Sequence, residues 1–96
     1  MNNENPLPMF LTGRIEKPAA YPPYIPNDCF LIILESPHAS MSYFVQPGND
    51  KVKDFLAGVA GKRVDVTVVG AFEQRYHYFI ARSAHVTADV IKKIEG

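Results

Sequence analysis

Residues Asn49–Gly61, with the sequence NDKVKDFLAGVAG, decide how the rest of the chain is interpreted. Four apolar residues recur at the i, i+3, i+4, i+7 spacing of a one-sided helix: Val52, Phe55, Leu56 and Val59. Asn49 or Asp50 can cap the N-terminus, and Gly61 suits the position just past the C-terminus. Gly58 weakens an isolated helix by about 1 kcal/mol relative to alanine. The stretch therefore predicts one short helix that depends on packing for its stability.

Strand-like runs flank this helix, three before it and two after it. They are Phe10–Lys17, Cys29–Ser36, Met41–Gln46, Arg63–Gly70 and Arg75–Val86. In the first run Leu11 and Ile15 share a face, and Gly13 between them suggests a bend or bulge. The Cys29–Ser36 run is continuously apolar, which favours a strand buried on both faces. Ala71–Gln74 is predicted as a short connection.

The element order is three strands, one helix and two strands. It predicts an all-β fold with one short helix, namely a five-stranded OB-fold barrel with the helix between strands 3 and 4. The domain would span residues 10–86, and the helix would plug one end of the barrel. Residues 1–9 are predicted as a flexible arm. Residues 87–96 are predicted as a C-terminal extension with a short helix.

The composition of the chain limits the classes of function that it can have. The chain has 96 residues, no net charge and a pI near 6.8, which counts against a simple electrostatic case for nucleic-acid binding but leaves a basic face open. Long duplex sites are disfavoured because they need many phosphate contacts. No apolar run is long enough to span a membrane, and Met1–Pro8 lacks a signal-peptide pattern. These features predict a cytoplasmic protein. Cys29, the only cysteine, is expected to be a small core residue.

Catalytic and metal-binding patterns are missing from the sequence. His38, His77 and His85 show no metal-ligand spacing, and a single cysteine gives no zinc motif. No catalytic triad, carboxylate pair or glycine-rich phosphate loop occurs in the required context. The sequence predicts no enzyme activity, no cofactor and no metal.

The best candidate binding segment is Arg75–Phe79, with Phe72 just before it. Basic and aromatic residues interleave here, and each base stacked on an aromatic ring contributes about 1–3 kcal/mol. Arg75 and Arg82 could pair with phosphates. The alternative is that these aromatic residues cover the barrel or a subunit interface.

A second candidate is the loop Pro18–Asn27, where prolines stiffen a segment that carries Tyr21 and Tyr24. OB-folds use this loop for ligands. The alternative is a loop packed onto the barrel by its own tyrosines. Arg14 and Lys17 could supply charge near the same groove, or could be solvated surface. Tyr43 and Phe44 are expected on opposite faces of the third strand, one of them in the core.

Several segments resemble the bacterial single-stranded DNA-binding protein family, including its PriB-like members. Leu11–Pro18 is similar to the family's opening strand, and Tyr24–Asn27 resembles its first turn without the glycine. Lys53–Gly70 is similar to the family's helix and following Val-x-Val-x-Gly strand. Arg75–Tyr76 and Ala84–Val86 resemble its last strand. The chain departs from the family in having no tryptophan, a very short last hairpin and no acidic tail.

The resemblance implies a small accessory OB-fold protein. It would bind single-stranded DNA, or RNA, with low sequence preference and serve replication, recombination or repair as a homo-oligomer, expected to be a dimer. A replication or repair protein would be its partner. The predicted nucleic-acid-binding residues are Arg14, Lys17, Tyr24, Phe72, Arg75, Tyr76, Tyr78 and Arg82. The alternative hypothesis is a protein–protein adaptor without nucleic-acid binding; an oligosaccharide module is a third.

Overall fold

The structure, a computed structural model, describes residues 9–75 and 77–88. Its elements are β1 (Met9–Glu16), β2 (Phe30–Glu35), β3 (Ser40–Pro47), α1 (Asp50–Val59), β4 (Asp65–Phe72) and β5 (Phe79–Val86). The predicted all-β class, with one short helix between the third and fourth strands, is confirmed. The predicted arm and C-terminal extension fall mostly outside the described residues. Met9, placed in that arm by the sequence interpretation, is already part of β1.

The five strands pair in a closed ring in the order β1–β2–β3–β5–β4, and β4 pairs back onto β1. β3 and β5 run parallel, whereas the other neighbouring pairs are antiparallel. This strand order, with its helix between β3 and β4, is the predicted OB-fold. Every strand has two neighbours, but β3 pairs with β5 only over Val45–Pro47, and its residues Ser40–Phe44 pair on the β2 side alone.

Alternate residues of each strand point into the ring and form one apolar core. Leu11 and Ile15 of β1 point inward, as the sequence alternation predicts. Among the described residues, the largest fully buried side chains are Phe79, Ile15, Ile32, Leu56, Val45, Val66, Val68 and Cys29, which confirms Cys29 as a core residue. Among the described residues no polar side chain is buried with them. Apolar burial and packing therefore hold the interior together.

Helix α1 closes the barrel through its apolar stripe. Val52 and Leu56 are buried in the same cluster as the inward strand residues. Asn49 is the N-cap, and its side-chain oxygen accepts a hydrogen bond from the Val52 amide at 2.9 Å. Gly61 follows the helix with φ +81°, where a glycine is favoured, and its amide donates to the Ile15 carbonyl. No helix in the described part of the chain is long and apolar enough to cross a membrane.

Of the bend or bulge expected at Gly13, only the bulge occurs on another strand. A bend fits the change of partner beside Gly13, because β1 pairs with β4 up to Arg14 and with β2 from Arg14 onward. β1 pairs with β4 in one unbroken register through Gly13. The register shift falls between Val69 and Gly70 of β4, opposite Arg82 of β5. A Cβ at Gly70 would lie 1.8 Å from the Ile80 carbonyl oxygen, so only glycine allows this close approach.

Two further details differ from the sequence predictions. β2 is buried mainly on one face, because Ile32 points inward while Leu31 and Ile33 are half-buried on the outside. The other difference is that β5 begins at Phe79 rather than Arg75, and β4 extends to Phe72.

Glu73 explains the late start of β5. Its amide donates to the Tyr78 carbonyl at 2.7 Å, its carbonyl accepts from the His77 amide, and its carboxylate accepts from the Arg75 amide at 2.8 Å. These local hydrogen bonds make residues 73–78 a turn. Two of them join backbone groups, and the Glu73 carboxylate takes a third backbone donor, that of Arg75, away from a strand ladder.

Candidate nucleic-acid interface

Two loops and one strand enclose an open depression of about 420 Å³ on the outside of the barrel. The β1–β2 loop, residues 17–29, contributes Tyr24 and Ile25; β3 contributes Phe44; and the β4–β5 loop, residues 73–78, contributes Arg75 and His77. We call Tyr24, Phe44, Arg75 and His77 the loop platform. It brings aromatic and basic side chains together in a place that the sequence order does not reveal.

Internal contacts fix the β1–β2 loop. Ile25 is buried, and its amide donates to the Pro22 carbonyl at 3.0 Å. The Tyr21 hydroxyl donates to the Cys29 carbonyl at 3.0 Å. Tyr21 therefore holds the loop, as the packing alternative predicts for it, whereas Tyr24 is 56% exposed. The loop presents Tyr24 from an ordered backbone, which lowers the entropy lost when a ligand binds.

The turn made by Glu73 positions the basic side of the platform. It places Arg75 and His77 beside the β1–β2 loop. His77 has φ 60°, a left-handed conformation that is uncommon for residues other than glycine. The turn hydrogen bonds hold this conformation in place.

Strand parity separates the two aromatic residues of β3. Tyr43 lies opposite Ile32 and Phe44 opposite Leu31, and cross-strand partners share a face. Tyr43 therefore packs against the core with Ile32, and Phe44 faces outward as part of the loop platform. One residue of this pair was expected in the core, and it is Tyr43.

Phe72 lies on the inner side. Its ring meets Tyr43 edge-on with centroids 5.3 Å apart, and meets Phe79 with centroids 5.1 Å apart. We call Tyr43, Phe72 and Phe79 the inner aromatic cluster. Edge-to-face pairs of this kind add about 0.5–1.5 kcal/mol beyond area burial. Phe72 thus matches the alternative explanation, in which the aromatic residue serves the barrel itself.

The other predicted residues lie apart from the platform. Lys17 lines a depression of about 400 Å³ beside α1, together with Lys53 and Asp28. Arg82 lines a third depression, at the start of α1. Tyr78 is half-buried in the β4–β5 loop. Tyr76 lies outside the described residues.

Arg14 is engaged by carboxylates. Its Nη2 donates to Glu35 Oε2 at 3.0 Å, and its Nη1 lies 4.0 Å from Glu16 Oε2. Arg63 and Asp65 complete this mixed-charge patch. The four predicted basic residues, Arg14, Lys17, Arg75 and Arg82, therefore line four different depressions.

The environment of Cys29 makes its thiol unreactive. Burial, reinforced by the charge of Asp28, raises the pKa of the Cys29 thiol to about 12. The thiol stays protonated near neutral pH and is a poor nucleophile. In residues 9–75 and 77–88, no three histidine, cysteine, aspartate or glutamate side chains are placed to hold a metal ion.

Sequence reasoning left Phe44 and His77 out of the predicted site. Pairing Phe44 with Leu31 places it outside, and this pairing depends on register, which the sequence alone does not define. His77 belonged to the Arg75–Phe79 segment but carried no spacing pattern of its own. No known protein-family profile matches this chain, and no curated protein matches it at a significant level.

Proposed function

We propose that this OB-fold domain binds single-stranded DNA, or RNA, with low sequence preference, and does so at the loop platform. One observation carries the proposal: Tyr24, Phe44, Arg75 and His77 meet where the β1–β2 loop, the β4–β5 loop and β3 converge. Ligands of OB-folds bind at these loops and at the face of strands 2 and 3.

The chemistry of the platform suits a single strand. Tyr24 and Phe44 offer two rings outside the core, and any base can stack on an aromatic ring. Arg75 supplies a cation for a phosphate. With no net charge on the chain and few basic side chains at the platform, the strand makes few phosphate contacts. Binding is then weak and only moderately sensitive to salt.

The test is fluorescence anisotropy with a labelled oligo-dT over a salt series. Phe44→Ala and Tyr24→Ala are expected to weaken binding by about 5- to 150-fold each, since a stacked base contributes about 1–3 kcal/mol. Met41→Ala is the matched control, because Met41 is an exposed apolar residue of the same strand outside the platform. No binding at low salt up to about 100 μM protein would contradict the proposal.

The proposal includes a cytoplasmic homodimer that assists replication, recombination or repair, as the family resemblance implies. The exposed side chains of Met9 and Phe10 on β1 support an oligomer, because they leave apolar surface uncovered. Analytical ultracentrifugation measures the oligomeric state directly. A monomer at all concentrations up to about 100 μM, a weak-association range, would remove the dimer from the proposal.

The alternative is an adaptor that binds another protein through this barrel. The separation of the basic residues favours it, because a nucleic-acid module usually gathers them on one face. In this case Phe44→Ala leaves oligonucleotide affinity unchanged and breaks a partner complex in a pull-down. The oligonucleotide and pull-down measurements on Phe44→Ala therefore separate the two functions.

A further inference from the structure

A cationic depression lies between α1 and β5, separate from the loop platform. It measures about 320 Å³ and is lined by Asn49, Lys51, Val52, Phe55, Arg82, Ser83, Ala84 and His85. Lys51, Arg82 and His85 supply nitrogen donors, Ser83 supplies a hydroxyl, and Phe55 forms part of an apolar wall. No carboxylate is among these lining residues of the described chain. We call it the cationic pocket.

A β-bulge places Arg82 at the cationic pocket. Val69 pairs with Ser83 and Gly70 with Ala81, so Arg82 is the extra residue of a β-bulge. A bulge re-aims the side chain that it carries. The Asn49 side-chain amide donates to the Arg82 carbonyl at 3.3 Å, which ties the bulge to the start of α1. Lys51, in the first turn of the helix, lines the same pocket as Arg82.

The N-terminus of α1 is already capped, because the Asn49 side chain accepts from the Val52 amide. Three basic side chains from two elements, Lys51, Arg82 and His85, line this one depression. The contrast with Arg14 is direct: Arg14 is paired with Glu35, whereas no described carboxylate lies within 4 Å of Lys51 or Arg82.

The paired segments of β3 and β5 lie between the loop platform and the cationic pocket, and we call them the β3–β5 seam. β3 and β5 run parallel from Val45 and Phe79 to Pro47 and Ala81. Phe44 stands at the platform end, and Arg82 follows Ala81 at the other end. The separation is on the order of 15 Å at the usual rise of a strand. A single strand that occupies about 4–16 nucleotides on an OB-fold is long enough to span both.

We propose that the cationic pocket binds backbone phosphates of a single strand that leaves the loop platform along the β3–β5 seam. This inference rests on the proposed function. It adds a second contact, made by Lys51, Arg82 and His85, that is phosphate-directed and independent of base identity.

The experiment compares labelled oligo-dT of about 4 and about 12 nucleotides, the lower and upper parts of the OB-fold site range. Lys51→Ala and Arg82→Ala are each expected to weaken binding of the longer oligonucleotide by roughly 2- to 5-fold. Each should also reduce its salt slope by about 0.7. The shorter oligonucleotide, held by the platform alone, should be unaffected.

Lys53→Ala is the matched control. It removes the same charge from the same helix but lines the other depression, beside Lys17. Equal losses for Lys53→Ala and Lys51→Ala would overturn the proposal, because general electrostatic attraction would then explain both. Loss on both oligonucleotide lengths would overturn it as well.

Inorganic phosphate serves as the probe for a free-anion site. Saturable shifts of the Ser83 and His85 amides in an NMR titration with phosphate, combined with no length-dependent effect of Arg82→Ala, would overturn the strand path. Failure of the two hypotheses is distinguishable. If no oligonucleotide binds, both fall; if Phe44→Ala weakens binding and Arg82→Ala does not, only the cationic pocket falls.

Discussion

The inner aromatic cluster and the loop platform lie on the two sides of β3 and use the same residue types. Tyr43, Phe72 and Phe79 meet edge-on inside the barrel. Tyr24 and Phe44 face the depression outside it. Tyr43 and Phe44 are neighbours in the chain, so composition cannot separate their roles. Strand parity, set by the register with β2, decides which ring stabilises the fold and which is available to a ligand.

Removing one aromatic ring from each side of β3 tests most directly whether only the inner ring stabilises the fold. Phe79→Ala is expected to lower the free energy of unfolding by about 3–5 kcal/mol, because Phe79 is fully buried and leaves a cavity. Phe44→Ala should cost less than about 1 kcal/mol. Equilibrium urea unfolding measures both. If Phe79→Ala does not fold, Phe79→Leu should still cost about 1–3 kcal/mol. Equal costs for Phe44 and Phe79 would show that Phe44 belongs to the core.

Adding a methyl group at Gly70 tests the inner side from the opposite direction. The new Cβ would meet the Ile80 carbonyl oxygen, so the bulge must shift. We expect Gly70→Ala to lower the free energy of unfolding by about 1–3 kcal/mol, as overpacking does. A neutral result in urea unfolding would mean that the bulge relaxes without loss.

Alkaline pH tests the inner side through Cys29, with an effect that is smaller for each pH unit. Burial raises the pKa of the folded thiol from 9.0 to about 12. Above pH 9 the unfolded state loses this proton first, so folding stability falls as pH rises towards the folded pKa. Between these two pKa values, stability falls by about 1.4 kcal/mol for each pH unit. Urea unfolding across this range should show a steeper loss for the native chain than for Cys29→Ala. Equal slopes would place the thiol in contact with solvent.

Substituting Gly58, which is exposed on helix α1, tests the outer surface of the molecule and has the smallest expected effect. A Cβ at this helical position would meet no atom within 4 Å. Gly58→Ala should therefore raise the free energy of unfolding by about 0.5–1 kcal/mol. Gly61→Ala is the control and should destabilise, because Gly61 has φ +81°. A loss of stability in Gly58→Ala would show that this side of α1 is covered in solution.

Much of the fold follows from local sequence patterns. The helix stripe, the Asn49 cap and the alternation around Ile15 each rest on near neighbours in the chain, and all three are found in the structure. The start of β5 was wrong because Arg75–Phe79 alternates like a strand. The hydrogen bonds of Glu73 override that pattern, and nothing in the spacing reveals them.

The candidate site was less predictable because it depends on contacts between distant segments. Tyr24 and Arg75 are fifty-one positions apart by their numbers and meet only because the two loops converge on β3. Arg82 was expected at the same interface as Arg75. The β-bulge at Arg82, opposite Gly70, directs it towards α1 instead, and the position of a bulge is set by strand pairing.

The closed ring also has a consequence for how the chain folds. β1 forms a hairpin with its neighbour β2, but its other edge waits for β4; Thr12 and Thr67, which share a hydrogen bond across that edge, are 55 positions apart. Contacts at such sequence separation slow folding, so we expect closure in milliseconds to seconds. Until then β1 carries an open edge on which a strand from another chain could pair. β1, whose edge stays open until β4 pairs with it, is therefore exposed to aggregation while the protein is being made.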